Sequence, residues 1–478
     1  MAERLSAREF LGLVSDDFTE LPYTGSSELP YTGSSGLPYT ESAEPPSPER
    51  ESAADGPLGW PGYDAARVRA AGRTGETESV VCGTGAVDGT RAVLIAFEFG
   101  FLGGSLGQRT GDRLEAAYRY ARAHRLPVVP LVATGGSRMQ EGMLALTQLQ
   151  RVARESVLTR EAGLAQIAVV RDPATGGGWA TLGAGADVVL ALPGAQVGFA
   201  GSRVRPPDAD PAAYTAEAQV AAGSADAVVP PEELRRTLGR WLRLLTSPSG
   251  APAPVPEPLG TAGPPASGWE AVQRARAPER PRAHAYLDAY FTHRVALHGD
   301  RCGGADPDGM LCGFGEHTGR TVAYAAQTGT PTRPAGYRTA ARLIRLADRL
   351  GIPVLTLVDT PGAANDAAAE RLGAGPAIAE LFGAVAAART PVTTLVVGEG
   401  GSGGALALAA PGSTWATPDS YFSVIAPELA AAILKRPPEE VEATADQLRL
   451  TPQDLAELGL IRIRTRGRTS PGTGDRRP

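Results

Sequence analysis

The stretch VVCGTGAVDGTRAVLIA, residues 80–96, recurs as MLCGFGEHTGRTVAYAA at residues 310–326. Two further stretches recur in the same order: ARAHRLPVVPLVATGG (121–136) as ADRLGIPVLTLVDTPG (347–362), and IAVVRDPATGGG (167–178) as TTLVVGEGGSGGA (393–405). The offset between the copies is nearly constant across all three pairs. Such steady self-similarity predicts a duplicated domain.

Each copy contains a helix, then a short apolar strand, then a glycine turn. RLEAAYRYARAHRL (113–126) and RTAARLIRLADRL (338–350) have helical periodicity, and each is followed by a buried strand rich in β-branched residues. Because strands alternate with helices along both copies, the sequence predicts a layered α/β fold.

The remaining sequence divides the chain into six segments. Residues 1–19 are predicted to form an N-terminal helix in which Ser6 and Glu9 make a capping box. Residues 20–56 carry three copies of an eight-residue unit, ELPYTGSS, and we expect them to be disordered. The Pro-rich stretch 247–268 is predicted to link two folded blocks, 57–246 and 269–465, and residues 466–478 form a polar tail.

Composition excludes several classes of function. The net charge of -6 and the absence of a basic tract give no indication of nucleic-acid binding. The three cysteines form no CxxC pair, so neither a disulfide framework nor a four-cysteine zinc site is predicted, and no metal is expected. Without a long apolar run or a signal-peptide pattern, the expected location is cytoplasmic, with no membrane association.

The glycine turns are the candidates for chemistry. Gly135 and Gly136 follow one apolar strand, and VVGEGGSGGALALA (396–409) has the same layout. Taken singly, a glycine turn is more often a tight bend in a parallel sheet, and neither loop has the spacing of a nucleotide-binding motif. The five histidines form no ligand pattern. If the protein is an enzyme, backbone N–H donors are therefore expected to stabilise a negatively charged oxygen.

Several motifs in the first block bring a known family into view. FEFGFLGGSLGQRTGDRL (97–114), TGGSRMQEG (134–142), RDPATGGG (171–178) and VGFAGSRV (197–204) resemble the beta subunit of bacterial acetyl-CoA carboxylase carboxyltransferase. In the second block the motifs resemble its alpha subunit: HGDRCGGADP (298–307), PAGYRTAARL (334–343), VDTPGAA (358–364), GEGGSGGALALA (398–409) and YFSVIAPE (421–428). The resemblance implies two tandem crotonase (ClpP-like) superhelix domains fused in one chain.

The resemblance also implies site residues. The N–H groups of Gly135 and Gly136 would hold the enolate oxygen of an acyl-CoA, and those of Gly404 and Ala405 the ureido oxygen of biotin. The substrate-binding residues implied on the acyl-CoA side are Gly103, Gly104, Ser105 and Arg138, and those on the biotin side are Thr360, Pro361, Gly362 and Gly403. Arg138 and Arg109 would meet CoA phosphates, with a local pair between Arg138 and Glu141 as the alternative.

The implied activity is transfer of a carboxyl group from carboxybiotin to acetyl-CoA, giving malonyl-CoA for fatty acid or polyketide synthesis. Carboxybiotin would release CO2, the biotin anion would take a proton from the acyl α-carbon, and the enolate would attack CO2 without a protein base. Carboxybiotin and acyl-CoA are then substrates, and no cofactor is bound permanently. A biotin carboxylase and a biotin carboxyl carrier protein are the expected partners, together with self-association as a homo-oligomer.

Three alternatives remain open: a propionyl-CoA or other acyl-CoA carboxylase, a malonate decarboxylase-type component, and a catalytically silent scaffold that binds a carrier protein. The sequence also departs from the family pattern. The four-cysteine zinc ribbon common in beta subunits is missing, and Ala363-Ala364-Asn365-Asp366 replaces the usual aromatic, proline and glycines. Trp179 stands where a small residue is expected.

Overall fold

A computed structural model describes residues 4–22, 55–260 and 263–465. The predicted disordered segment 20–56 lies almost wholly outside the described residues, and the predicted tail 466–478 lies wholly outside them. The chain divides into two compact units. The first contains Met1–Gln219 and Ala227–Arg243, and the second contains Val220–Asp226 and Leu244–Pro478.

The first unit is built on an eight-stranded sheet. Its strands are β1 Phe18–Glu20, β2 Val80–Val87, β3 Thr90–Phe97, β4 Val128–Thr134, β5 Ile167–Thr175, β6 Val188–Ala191, β7 Val197–Gly198 and β8 Ala227–Val228. The order is β1-β2-β3-β4-β5-β6-β8, with β7 paired to the far end of β5. β1, β2 and β3 pair antiparallel, and every pair from β3 onward is parallel.

Helices accompany the strands of the first unit, and those between β3 and β8 join parallel strands, as such crossovers require. They are α1 Ala7–Val14, α2 Tyr63–Thr74, α3 Gln108–His124, α4 Gly142–Leu146, α5 Gln148–Glu161, α6 Gly176–Gly178, α7 Ala216–Ala221 and α8 Pro231–Leu245. A π-helical turn, Trp179–Gly183, continues directly from α6.

The second unit repeats this plan. Its strands are β9 His293–Ala296, β10 Met310–His317, β11 Arg320–Gln327, β12 Val354–Thr360, β13 Val392–Gly401, β14 Thr414–Ala416, β15 Tyr421–Ser423 and β16 Arg462–Ile463. They form an eight-stranded sheet in the order β16-β14-β13-β12-β11-β10-β9, and β15 pairs with β13. The antiparallel pairs β9–β10 and β10–β11 again precede parallel pairs.

The helices of the second unit follow the same alternation. They are α9 Gly268–Arg276, α10 Ala283–Tyr290, α11 Pro334–Leu350, α12 Ala367–Arg371, α13 Ala374–Ala387, α14 Ser402–Leu406, α15 Pro427–Ile433, α16 Val441–Gln447 and α17 Pro452–Glu457. Strand for strand the two sheets correspond, so the duplication and the α/β class predicted from the sequence are confirmed. Among the residues described in both units, no helix is long and apolar enough to cross a membrane.

The N-terminal helix is shorter than predicted. Ser6 caps α1, and the capping box with Glu9 is present. The helix ends at Val14, and Phe18–Glu20 then forms the edge strand β1 against β2. Gly83 and Gly85 of β2 leave room for this strand, since a β-carbon at Gly85 would lie 2.7 Å from the Asp17 carbonyl oxygen.

The Pro-rich stretch that begins at residue 247 contains no helix or strand between residues 247 and 260, but part of it packs into the second unit. Ala253 is buried in that unit's core. Its carbonyl accepts a hydrogen bond from the Thr393 hydroxyl at 2.9 Å, and the Tyr290 hydroxyl donates to the Pro254 carbonyl at 2.9 Å.

The segment Val220–Asp226 belongs to the second unit although it precedes the last part of the first. The buried Asp226 carboxylate lies 2.5 Å from Arg301 and 3.2 Å from Arg342, and it accepts the His298 N–H at 2.9 Å. These bonds tie the segment to the loop before β10 and to α11.

We expect Asp226→Ala to lower the free energy of unfolding by about 2–3 kcal/mol, because it removes the carboxylate that two arginines share. The effect is smaller than for a fully buried pair, since the arginine side chains remain 17% and 16% exposed. Urea denaturation measures it. Asp288→Ala removes an aspartate that is 65% exposed and paired with Arg294, and as the control it should change stability little. Equal effects of both substitutions on the free energy of unfolding would contradict the stabilising role assigned to the Asp226 carboxylate.

Candidate functional site

Two glycine turns meet at one edge of the first sheet. β4 ends at Thr134 and is followed by Gly135 and Gly136, and the neighbouring parallel strand β5 runs into α6. The carboxyl ends of adjacent parallel strands meet at the same edge, where ligands of open α/β sheets bind. The turns are in contact, because a β-carbon at Gly176 would lie 3.2 Å from the Gly136 Cα.

The second sheet carries the same pair of turns. β12 ends at Thr360 before Pro361 and Gly362, and β13 runs into α14. A β-carbon at Gly404 would lie 2.5 Å from the Ala363 backbone nitrogen, so the two turns are closely packed here as well. The alignment of the two copies in the sequence relates both turns to those of the first unit.

The turns after β4 and β12 are closed by the same hydrogen bond. The N–H of Gly136 donates to the Thr134 hydroxyl at 3.0 Å, and the N–H of Gly362 donates to the Thr360 hydroxyl at 3.2 Å. In addition, the Gly135 N–H donates to the Gly103 carbonyl at 2.9 Å. Both N–H groups expected to hold the acyl oxygen therefore have acceptors within the chain.

The helices after β5 and β13 start alike. Their first residues, Gly176 and Ser402, have left-handed backbones with φ of +63° and +57°. The third residues, Gly178 and Gly404, have N–H groups in the first turn, which lacks intrahelical acceptors. Ala405 is the fourth residue, whose N–H normally bonds to the N-cap carbonyl. Of the two donors expected on the biotin side, Gly404 is therefore the one that can donate outward.

Sequence reasoning missed Gly178 as a candidate donor of the first unit. The signal was present, because the alignment of RDPATGGG with VGEGGSGGA that relates the two copies places Gly178 opposite Gly404. The family resemblance implies Gly135 and Gly136 as the donors instead. The N–H groups of Gly135 and Gly136 have acceptors within the chain, whereas Gly178 lies in the first turn of a helix, where N–H groups have no intrahelical acceptor.

Arg138 does not reach solvent, which argues against the expected contact with a CoA phosphate. Its side chain is 1% exposed and forms ion pairs with Glu78 and, at 3.2 Å, with Glu141. It also donates to the Ser105 carbonyl at 2.8 Å and to the Ser105 hydroxyl at 3.2 Å. Because the guanidinium is fully used by these partners, Arg138 holds the Gly103–Ser105 loop. Arg109, in contrast, is exposed at the start of α3.

The other residues predicted to bind substrate lie in or next to these turns. Gly103 and Gly104 have φ of +68° and +62°, and a β-carbon at Gly104 would collide with the Ala133 carbonyl, so only glycine fits there. In the second unit the Thr360 hydroxyl donates to the Thr330 carbonyl at 2.8 Å. Gly403 faces open space, since no atom of the described residues would lie within 4 Å of a β-carbon placed on it.

A buried ion pair lies next to the turn that follows β12. Asp359, one residue before Thr360, is fully buried and lies 2.5 Å from Arg280. Burial raises the pKa of the Asp359 carboxyl, and Arg280 opposes this rise. The carboxylate also accepts the Glu399 N–H at 3.2 Å, which joins the ends of β12 and β13.

The unexpected Trp179 is accommodated inside the first unit. It is 7% exposed and begins the π-helical turn after α6, at the position that corresponds to Ala405. Gly183 lies against its six-membered ring, so that a β-carbon there would overlap the indole. The space for the Trp179 side chain is thus left by the absence of a side chain at Gly183, four residues later.

Two family descriptions match the chain. The carboxyl transferase domain matches residues 63–225, and the description acetyl co-enzyme A carboxylase carboxyltransferase-like matches residues 265–463. Among solved structures, the transcarboxylase 12S hexamer core crystallised with hydrolysed methylmalonyl-coenzyme A has a similar fold. Its TM-score is 0.74 at 20% identity, over 96% of this chain and 86% of that one. The chain thus has two tandem units of crotonase-type fold, and each unit carries a match to a carboxyltransferase family description.

The relatives narrow this class. The acetyl-coenzyme A carboxylase carboxyl transferase subunits beta/alpha of Saccharopolyspora erythraea are 40% identical over 84% of this chain and 73% of theirs. A probable biotin-dependent acyl-coenzyme A carboxylase beta3 subunit of Mycobacterium tuberculosis is 35% identical over 85% and 84%. The chain belongs to the acetyl-coenzyme A carboxylase carboxyltransferase family, with its beta-type and alpha-type parts fused.

Proposed function

We propose that this chain is the carboxyltransferase component of a biotin-dependent acyl-CoA carboxylase and that acetyl-CoA is its acyl substrate. The observation that carries the proposal is the pair of equivalent strand–helix turns, one in each unit, in a chain of this family. Carboxyl transfer joins two carbonyl compounds, a thioester and the ureido group of biotin, and each develops negative charge on an oxygen during the reaction. One turn for each oxygen meets that need.

The proposed roles follow from the placement of the glycines. The Gly178 N–H stabilises the enolate oxygen of the acyl-CoA, and Gly135, Gly136 and the Gly103–Ser105 loop shape the wall beside it. The Gly404 N–H stabilises the ureido oxygen, with Pro361, Gly362 and Gly403 around it. Arg109 is proposed to meet a CoA phosphate, because it is exposed whereas Arg138 is buried.

Exposed apolar side chains close in sequence to the turns support self-association. Met139 and Met143 are 68% and 66% exposed shortly after Gly136, while Leu406 in α14 is 51% exposed and Val424, directly after β15, is 74% exposed. Exposed apolar surface of this kind marks interaction sites. We propose a homo-oligomer and docking of a biotinylated carrier protein, which a biotin carboxylase would charge.

Decarboxylation of malonyl-CoA in the presence of free biocytin tests the proposal. We expect acetyl-CoA to accumulate only when biocytin is present, as measured by mass spectrometry. Parallel assays with methylmalonyl-CoA compare acetyl-CoA with propionyl-CoA as the acyl substrate. Absence of biocytin-dependent turnover with both thioesters would overturn the proposal in favour of a silent scaffold.

The malonate decarboxylase-type alternative predicts a different outcome in the forward direction. When biotin carboxylase, biotinylated carrier, ATP and bicarbonate are supplied, a carboxylase component forms malonyl-CoA from acetyl-CoA. A decarboxylase-type component would release CO2 in the first assay and fail in this one.

A further inference from the structure

Gln327 contacts the proposed biotin-side donor from inside the second unit. It is the last residue of β11, and its side chain is fully buried. The amide Nε2 donates to the Gly404 carbonyl at 3.1 Å and lies 3.3 Å from the Thr332 hydroxyl. This bond fixes the carbonyl of Gly404, the residue whose N–H is the proposed donor.

The amide has only one workable orientation. Turning it over would bring Oε1 against the Gly404 carbonyl oxygen, and two acceptors repel each other. In the existing orientation Oε1 finds no hydrogen-bond partner among residues 4–22, 55–260 and 263–465. A buried acceptor without a partner is unfavourable for folding. An amide at this position is therefore explained by what its donor does for Gly404 rather than by stability.

The other side of Gly404 is closed by α11 and by the turn after Gly362. A β-carbon at Gly404 would lie 2.5 Å from the Tyr337 hydroxyl and 2.5 Å from the Ala363 nitrogen. Glycine has more backbone freedom than any other residue, so a glycine that donates a hydrogen bond to a substrate must be restrained by its surroundings. Gln327 supplies the directional part of that restraint.

The equivalent position of the first unit carries no such donor. The alignment that relates β3 to β11 places Phe97 opposite Gln327, and a phenylalanine side chain cannot donate a hydrogen bond. We propose that Gln327 is a positioning residue that holds the Gly404 N–H toward the ureido oxygen, so that the biotin-side turn is set more tightly than the acyl-side turn. The proposal rests on the function proposed above.

Gln327→Glu tests this with little change in shape. When ionised, the carboxylate cannot donate to the Gly404 carbonyl, and when protonated it can. We expect kcat for biocytin-dependent decarboxylation to fall on the order of tenfold or more at about pH 8. The ratio of variant to wild-type kcat should recover as the pH falls and the carboxyl takes up its proton, with KM for malonyl-CoA unchanged.

Taking the ratio of variant to wild-type kcat cancels the effects of other groups that titrate near Gln327. The titratable groups around it include Tyr337 and Asp306, and burial raises the pKa of both, but both are present in the two proteins. Gln327→Met is the second variant: it cannot donate at any pH, so its kcat should stay low throughout while its thermal stability matches the wild type.

The outcomes separate the two proposals. If the wild type shows no biocytin-dependent turnover, the proposed function fails. If the wild type turns over and Gln327→Met keeps its full kcat, or if the Gln327→Glu ratio does not change with pH, the positioning role of Gln327 is wrong.

Discussion

Gly404→Ala should reduce biocytin-dependent decarboxylation by about 10²–10³-fold, the loss typical of removing one oxyanion donor. The added methyl carbon would lie 2.5 Å from the Ala363 nitrogen and from the Tyr337 hydroxyl. Neither of these atoms is the end of a flexible side chain. Either α14 or the turn after Gly362 must therefore shift, and the Gly404 N–H then leaves its position. Binding of acyl-CoA, measured by calorimetry, should remain close to that of the wild type.

One other glycine of the second unit is the matched control, and a further one tests the proposed pocket itself. Gly383, in α13, has no atom of the described residues within 4 Å of a β-carbon and lies outside the left-handed region, so Gly383→Ala should leave turnover unchanged. Gly403→Ala adds its methyl to open space, and it should lower turnover without lowering the melting temperature, because the methyl enters the proposed biotin pocket. Equal loss of acyl-CoA binding and turnover in Gly404→Ala would instead indicate damage to the whole fold.

Arg138→Met should lower the free energy of unfolding by about 3–5 kcal/mol, as expected when one partner of a buried ion pair is removed. The substitution leaves Glu78 and Glu141, with side chains 1% and 6% exposed, without their shared cation. It also removes the donors to Ser105, so the Gly103–Ser105 loop loses its support. Chemical denaturation measures the change, and Arg109→Met, at an exposed arginine, should leave stability unaffected.

The pH dependence of that loss identifies its cause. Burial acts to raise the pKa of the Glu78 carboxyl, but the hydrogen bond and charge of Arg138 outweigh it and the pKa lies below its ordinary value of 4.5. A lowered pKa stabilises the fold above that value, and this contribution is lost on acidification. Without Arg138 the effect of burial dominates, the pKa rises, and acidification then stabilises the variant. We expect the destabilisation to be smaller at about pH 5 than at about pH 8. A pH-independent difference would show that lost packing dominates.

The fold was predictable because both halves repeat the same signals. The helices 113–126 and 338–350 and the buried strands after them are confirmed as α3, α11, β4 and β12, with earlier helix starts at Gln108 and Pro334. Apolar periodicity determines such elements locally. The strand β1 was missed because three residues pair with β2 through contacts that no local pattern records.

The site was predictable only to the level of the turns. That Gly362 and Gly404 follow adjacent strands of one sheet, as Gly136 and Gly178 do, agrees with the repeat in the sequence. Which N–H groups remain free depends on the Thr134 hydroxyl and on a carbonyl that approaches from another part of the chain. Arg138 shows the same limit, since its burial depends on an ion pair with a glutamate far earlier in the sequence.

The three crossings of the chain between its units constrain how this gene could be divided. Separate reading frames cut at the Pro-rich stretch would place Asp226 on one polypeptide and its partners Arg301 and Arg342 on the other. Such a second polypeptide would be translated without the carboxylate that both arginines contact. A two-gene arrangement of this sequence would therefore leave the second unit without this segment until the two products associate, a dependence that fusion removes.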